Sequence, residues 1–71
     1  GAASVIANIF SLAGRRVFSH EFKSHGSSWP GFVTWDGRDP LGKLVESGEY
    51  LYTLRVDGAL KVGKFVVVRK P

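Results

Sequence analysis

Glu49-Tyr50-Leu51-Tyr52-Thr53-Leu54-Arg55-Val56-Asp57 alternates without a break. Tyr50, Tyr52, Leu54 and Val56 fall on one side of an extended chain, and Leu51, Thr53, Arg55 and Asp57 on the other. That is the period-two pattern of a half-buried strand, written in residues that suit a pleated surface. Asp57-Gly58 follows and starts a hairpin turn, with glycine free to take a positive φ. Lys61 to Arg69 (KVGKFVVVR) then reads as the last strand. Its Phe65-Val66-Val67-Val68 core is apolar on both faces, which predicts cover on both sides, and Gly63 predicts a bulge.

Upstream of this hairpin, Gly37 to Gly48 (GRDPLGKLVESG) carries Asp-Pro, Leu-Gly and Ser-Gly punctuation that excludes a long regular element. Phe32 to Asp36 reads as a short strand with Val33 and Trp35 on one face. Ser24 to Gly31 (SHGSSWPG) is a loop by composition. Val5 to Leu12 and Arg15 to Lys23 form a first hairpin about Gly14. Val5, Ala7 and Ile9 share a face in the first arm; Phe18, His20 and Phe22 share one in the second, with Val17 opposite. Five strands at regular spacing with turn signals between them predict an all-β, immunoglobulin-like (fibronectin III-like) antiparallel sandwich. Residues 5–71 make its single domain, and residues 1–4 read as a cloning remnant or a domain edge.

A chain of 71 residues buries only about 60% of the surface its unfolded form exposes, so its stability margin is thin. An apolar fraction of 44%, with two Trp, two Tyr and five Phe, excludes a disordered tail. Without cysteine there is no disulfide and no thiolate metal site. The net charge of +4 serves solubility as readily as an anionic partner, and no nucleic-acid partner is expected. No stretch approaches the ~20 apolar residues of a membrane span, and none reads as a signal peptide.

Taken together, Val5-x-Ala7-Asn8-Ile9-Phe10-Ser11-Leu12-Ala13-Gly14-Arg15-Arg16-Val17, Val33-Thr34-Trp35-Asp36-Gly37-Arg38-Asp39, Gly42, Ser47-Gly48-x-Tyr50-x-Tyr52-x-Leu54 and Gly63-Lys64-Phe65-Val66-Val67 carry a resemblance. The chain resembles the immunoglobulin-like domains that include that of the flagellar hook-capping protein and the C-terminal sorting domains of type IX secretion cargo. Its closing Gly-Lys-Phe-Val-Val-Val-Arg-Lys looks more like the sorting domains, whose final strand ends the cargo and is needed for export. The resemblance implies a secretion, sorting and surface-anchoring signal, carried by a longer precursor that bacteria secrete or display, and recognised by export machinery. Members of the group usually carry one or two strands before the segment matching Val5. Their absence here predicts an incomplete edge, closed by strand exchange, a homodimer or a strand from another chain. A structural module of hook-cap or spacer type, and a carbohydrate-binding accessory module, are the competing expectations.

The motif residues Gly14, Trp35, Asp36, Gly37, Gly42, Gly48, Tyr50 and Tyr52 also make sense as scaffold. Trp35 supplies core area, Asp36 bonds amides two positions on, and Tyr50 or Tyr52 returns its hydroxyl to loop backbone. Asp36 and Asp39 lack the dense acidic spacing of a calcium loop. His20 and His25 have no third zinc ligand in sight. Ser27 and Ser28 near His25 have neither an oxyanion loop nor an orienting acid. No cofactor, no metal and no catalysis are expected. Candidate interaction residues are Trp29, a loop aromatic suited to a sugar or a partner side chain, and Lys64, Phe65, Val66, Val67 and Arg69. The alternative for Trp29 is to fold back and cap one end of the sandwich. Arg15, Arg16, Lys61, Lys64, Arg69 and Lys70 otherwise read as solvated faces and edge protection.

Overall fold

A computed structural model of the chain describes residues 4–23 and 31–69. The described residues contain four strands and no helix: β1 (Ser4–Ser11), β2 (Arg16–Lys23), β3 (Gly48–Val56) and β4 (Ala59–Val67). They form one antiparallel sheet in the order β2-β1-β3-β4. The all-β, antiparallel class expected from sequence is what the chain adopts. No second sheet forms among the described residues; a loop supplies the second layer.

Two tight hairpins build the sheet. Ser11 and Arg15 close the first, Ser11 N–H donating to the Arg15 carbonyl at 2.9 Å, and Gly14 turns the chain at φ +87°. Asp57 and Gly58 close the second, both with positive φ (48° and 88°), the mirror-image turn whose twist matches its strands. A two-residue turn fixes Val56 opposite Ala59 and starts β4 two residues earlier than its composition suggests. The seam between hairpins is β1 against β3, from Val5 opposite Val56 to Ser11 opposite Tyr50.

Register decides which side chains are inside. Val5, Ala7 and Ile9 of β1 are buried on the face that also carries Tyr50, Tyr52, Leu54 and Val56 of β3. Between Ile9–Phe18 and Phe10–Arg16 the β1–β2 pairing shifts by one, so Val17 is an extra residue on β2. This bulge swings Val17 into the core, where it is 4% exposed, although simple alternation sets it opposite Phe18. The bulge expected at Gly63 is absent: β3 and β4 pair continuously through Tyr52 opposite Gly63. Gly63 is small for a different reason. The Tyr52 ring lies across it, and a methyl group there would run into that ring.

Phe32 to Asp36 joins no strand ladder. Its alternation is real, since Trp35 packs inward, but the backbone runs over the sheet instead of beside it. The expected cover on both sides of the last strand is also absent. β4 is an edge strand, and Val66 and Val68 are exposed. The first strand, expected to border a gap, is instead paired on both sides. Among the described residues, the open edges of the sheet are those of β2 and β4.

Candidate interaction surface

The corner formed by the loop over the sheet holds most of the signature residues together. Ile9, Val17, Val45 and Tyr50 form its buried cluster, with Phe18, Trp35, Phe65 and Val67 packed against it. Trp35 is the hub: its ring centroid lies 6.1 Å from those of Phe18, Tyr50 and Phe65. Edge-on contact with Tyr50 and Phe65 sets positive ring edges against negative faces, an arrangement that adds to simple burial. Its indole Nε1–H donates to the Arg38 carbonyl at 3.0 Å, which closes the chain into a turn after Asp36.

That turn is built from short polar side chains. Asp36 Oδ1 accepts from the Arg38 amide two positions on (3.0 Å), and the Val45 amide donates to the Gly37 carbonyl (2.9 Å). Arg38 reaches back to the Gly42 carbonyl at 2.8 Å. Asp39 gathers more donors than any other side chain here: the Leu41 and Lys43 amides on Oδ1 and the Arg15 guanidinium on Oδ2. The Lys43 amide, opposed by desolvation and helped by the Leu41 amide and the Arg15 charge, holds the Asp39 carboxyl below its ordinary pKa. Both of its oxygens are therefore committed to holding the loop and to tying it, through Arg15, onto the first hairpin.

At the other end of the loop, Tyr50 donates its hydroxyl to the Glu46 carbonyl at 2.7 Å. Of the two tyrosines expected to return to loop backbone, Tyr50 is the one. Gly48, at φ +148°, holds a backbone shape that a side chain would strain, and delivers the chain from loop to β3. Tyr52 does different work, spanning Gly63 and packing 6.2 Å from Phe65. Between this corner and the rest of the sheet, above the small side chain of Ala7, runs an apolar groove of about 230 Å³ among the described residues. Phe18, Phe32, Trp35, Tyr52 and Phe65 line it.

The expected interaction residues divide. Phe65 and Val67 belong to the core face, half-buried against the aromatic cluster, and their work is structural. The Arg69 amide donates to Ser47 Oγ at 2.9 Å and its guanidinium lies 3.8 Å from Glu46, which clips the chain after β4 to the loop before β3. Lys64 and Val66 do lie on the uncovered face. Trp29 and His25 lie outside the described residues.

Sequence reading missed the neighbours of Lys64 and Val66. Leu60 is 52% exposed and Val62 and Val66 are each 63% exposed, all on the same outward face of β4. Counting the strand from the two-residue turn after Val56 would have placed Leu60 and Val62 beside Val66. Val45, buried at 8%, was hidden in a stretch legible only as turn punctuation. The other edge differs: on β2, Arg16, Ser19, His20, Glu21 and Lys23 are exposed, with Lys23 and Glu21 paired at 3.9 Å. One edge of the sheet is polar and self-paired; the other is apolar, with lysines that make no ion pair among the described residues. No family model, curated protein or solved structure matches the chain.

Proposed function

We propose that the chain is a non-catalytic recognition domain: the sorting and surface-anchoring signal of an exported bacterial protein, read by secretion machinery through β4. The observation that carries this reading is the outward strip of Leu60, Val62 and Val66 around Lys64. Large apolar side chains in a row on an exposed strand are the mark of a surface that meets another protein. The export role comes from the resemblance of the Trp35-Asp36-Gly37 and Ser47-Gly48-x-Tyr50 segments to sorting domains. Support comes from the way those segments share one corner, with Trp35 against Tyr50 and the Arg38 turn beneath them. In this reading the corner fixes the position of β3, β3 fixes β4, and β4 is presented for recognition.

The experiment is a fusion of residues 1–71 behind a reporter that carries its own signal peptide, expressed in a bacterium with a type IX system. Reporter at the cell surface, lost when Val62→Glu and Val66→Glu are combined in a chain that stays folded, is the expected result. A wild-type fusion retained in the periplasm overturns the reading.

A further inference from the structure

We infer that the open edge of β4 receives an extended segment of a different protein, in which apolar residues face Val62 and Val66 and acidic residues face Lys61 and Lys64. This rests on β4 being the recognition surface and names how it recognises.

An edge strand offers a row of unpaired amides and carbonyls that any extended chain can extend, and proteins normally blunt it with charge, proline or bulges. The β2 edge is blunted in this way, with a bulge at Val17 and the Glu21–Lys23 pair. The β4 edge has neither bulge nor proline; its only such device is the charge of Lys61 and Lys64, which an acidic strand would neutralise. It pairs continuously with β3, contains no proline, and leaves Leu60, Val62 and Val66 exposed. Its two lysines stand on opposite faces, three residues apart. Neither makes an ion pair among the described residues, although Glu49 lies diagonally across β3 from Lys64.

The lysines argue against a second copy of the chain as the occupant. In a two-fold antiparallel β4–β4 pairing centred on Lys64, that residue sits directly opposite its own copy. Centred on Gly63, Lys64 is diagonal to its copy; centred on Val62, Lys61 is diagonal to its copy. Direct and diagonal neighbours lie about 5 Å and 7–8 Å apart, close enough for like charges to oppose the pairing. An incoming strand with acids three apart meets both lysines at once, and valines on its other outward positions cover Val62 and Val66. Addition of such a strand satisfies the edge through backbone hydrogen bonds and obtains its selectivity from alternate side chains.

The test uses the 71-residue chain and the labelled peptide Thr-Val-Thr-Glu-Thr-Val-Glu-Thr, which places glutamates opposite Lys64 and Lys61 when paired antiparallel. Fluorescence anisotropy should show binding that weakens at least tenfold when both glutamates are replaced by lysine. The double variant Lys61→Glu, Lys64→Glu should reverse that preference. Amide exchange should show new protection on β4 and none on β2. No binding by the folded chain, equal binding of both peptides, protection confined to β2, or a dimer in sedimentation that already buries β4 each overturns the inference. Export of the reporter without peptide binding would sink the edge pairing alone; peptide binding without export would sink the sorting role alone.

Discussion

Replacing Trp35 with alanine tests whether the loop is a true second layer or an ornament on the sheet. The indole makes three aromatic contacts at 6.1 Å and one hydrogen bond at 3.0 Å. Each aromatic pair contributes about 0.5–1.5 kcal/mol beyond burial, and truncation of a large core aromatic typically costs ~3–5 kcal/mol. At roughly 0.05–0.15 kcal/mol per residue, a chain of 71 residues has only about 4–11 kcal/mol in total. Trp35→Ala should therefore leave the domain marginal or unfolded at 25 °C. Trp35→Phe keeps much of the ring area and loses mainly the bond to the Arg38 carbonyl, at a cost of ~1 kcal/mol. Urea unfolding followed by far-ultraviolet circular dichroism measures both. With native-state amide exchange it also separates global from local loss. If Trp35→Ala leaves the β1 and β3 amides as protected as before while the Val45 amide exchanges freely, the loop is dispensable and the reasoning is wrong.

Gly63 and Tyr52 should behave as a coupled pair: Gly63→Ala costs roughly 1–3 kcal/mol by displacing the Tyr52 ring, yet is neutral or stabilising once Tyr52 is alanine. A double-mutant cycle in thermal unfolding measures the coupling, and purely additive effects would refute it. Asp39 has a lowered pKa in the folded chain, so its stabilising contribution is complete above about pH 4, the unfolded range, and disappears as pH falls through the folded value. Asp39→Asn should accordingly destabilise the chain at neutral pH and flatten its stability profile on the acid side; unchanged profiles between pH 2 and 5 would count against the loop's dependence on this carboxylate.

Sequence alone located the four strands that form, because each is rich in strand-forming residues and bounded by a turn with its own chemistry, and β1 and β3 also alternate against a single buried face. Asp57-Gly58 is the clearest instance, where two adjacent positive-φ residues leave little freedom for the hairpin. Phe32 to Asp36 was misread for an instructive reason. Alternation records which side chains turn inward, and Trp35 does, but it carries no information on whether the backbone has a neighbour to pair with. Val17 defeated the pattern through a bulge, which resets parity in mid-strand. The misplaced cover over Val66 and Val68 has the same root: a strand apolar on both faces is composed alike whether it is central or exposed. Only the sheet order separates the two cases, and no local feature of the sequence specifies that order.

The order β2-β1-β3-β4 also bears on how quickly the domain assembles. Each hairpin can close locally, but the seam from Val5 opposite Val56 to Ser11 opposite Tyr50 joins residues about forty to fifty apart. Bringing such distant segments together is the slow event in sheets of this kind, because chain entropy is lost before contacts reward it. Side chains on β1 and β3 therefore govern the folding rate. A partner strand on the free edge of β4 joins only after that seam has formed, so its stabilisation falls mainly on unfolding. A strand captured on its free edge would then act on the lifetime of the folded state and leave its rate of formation nearly unchanged.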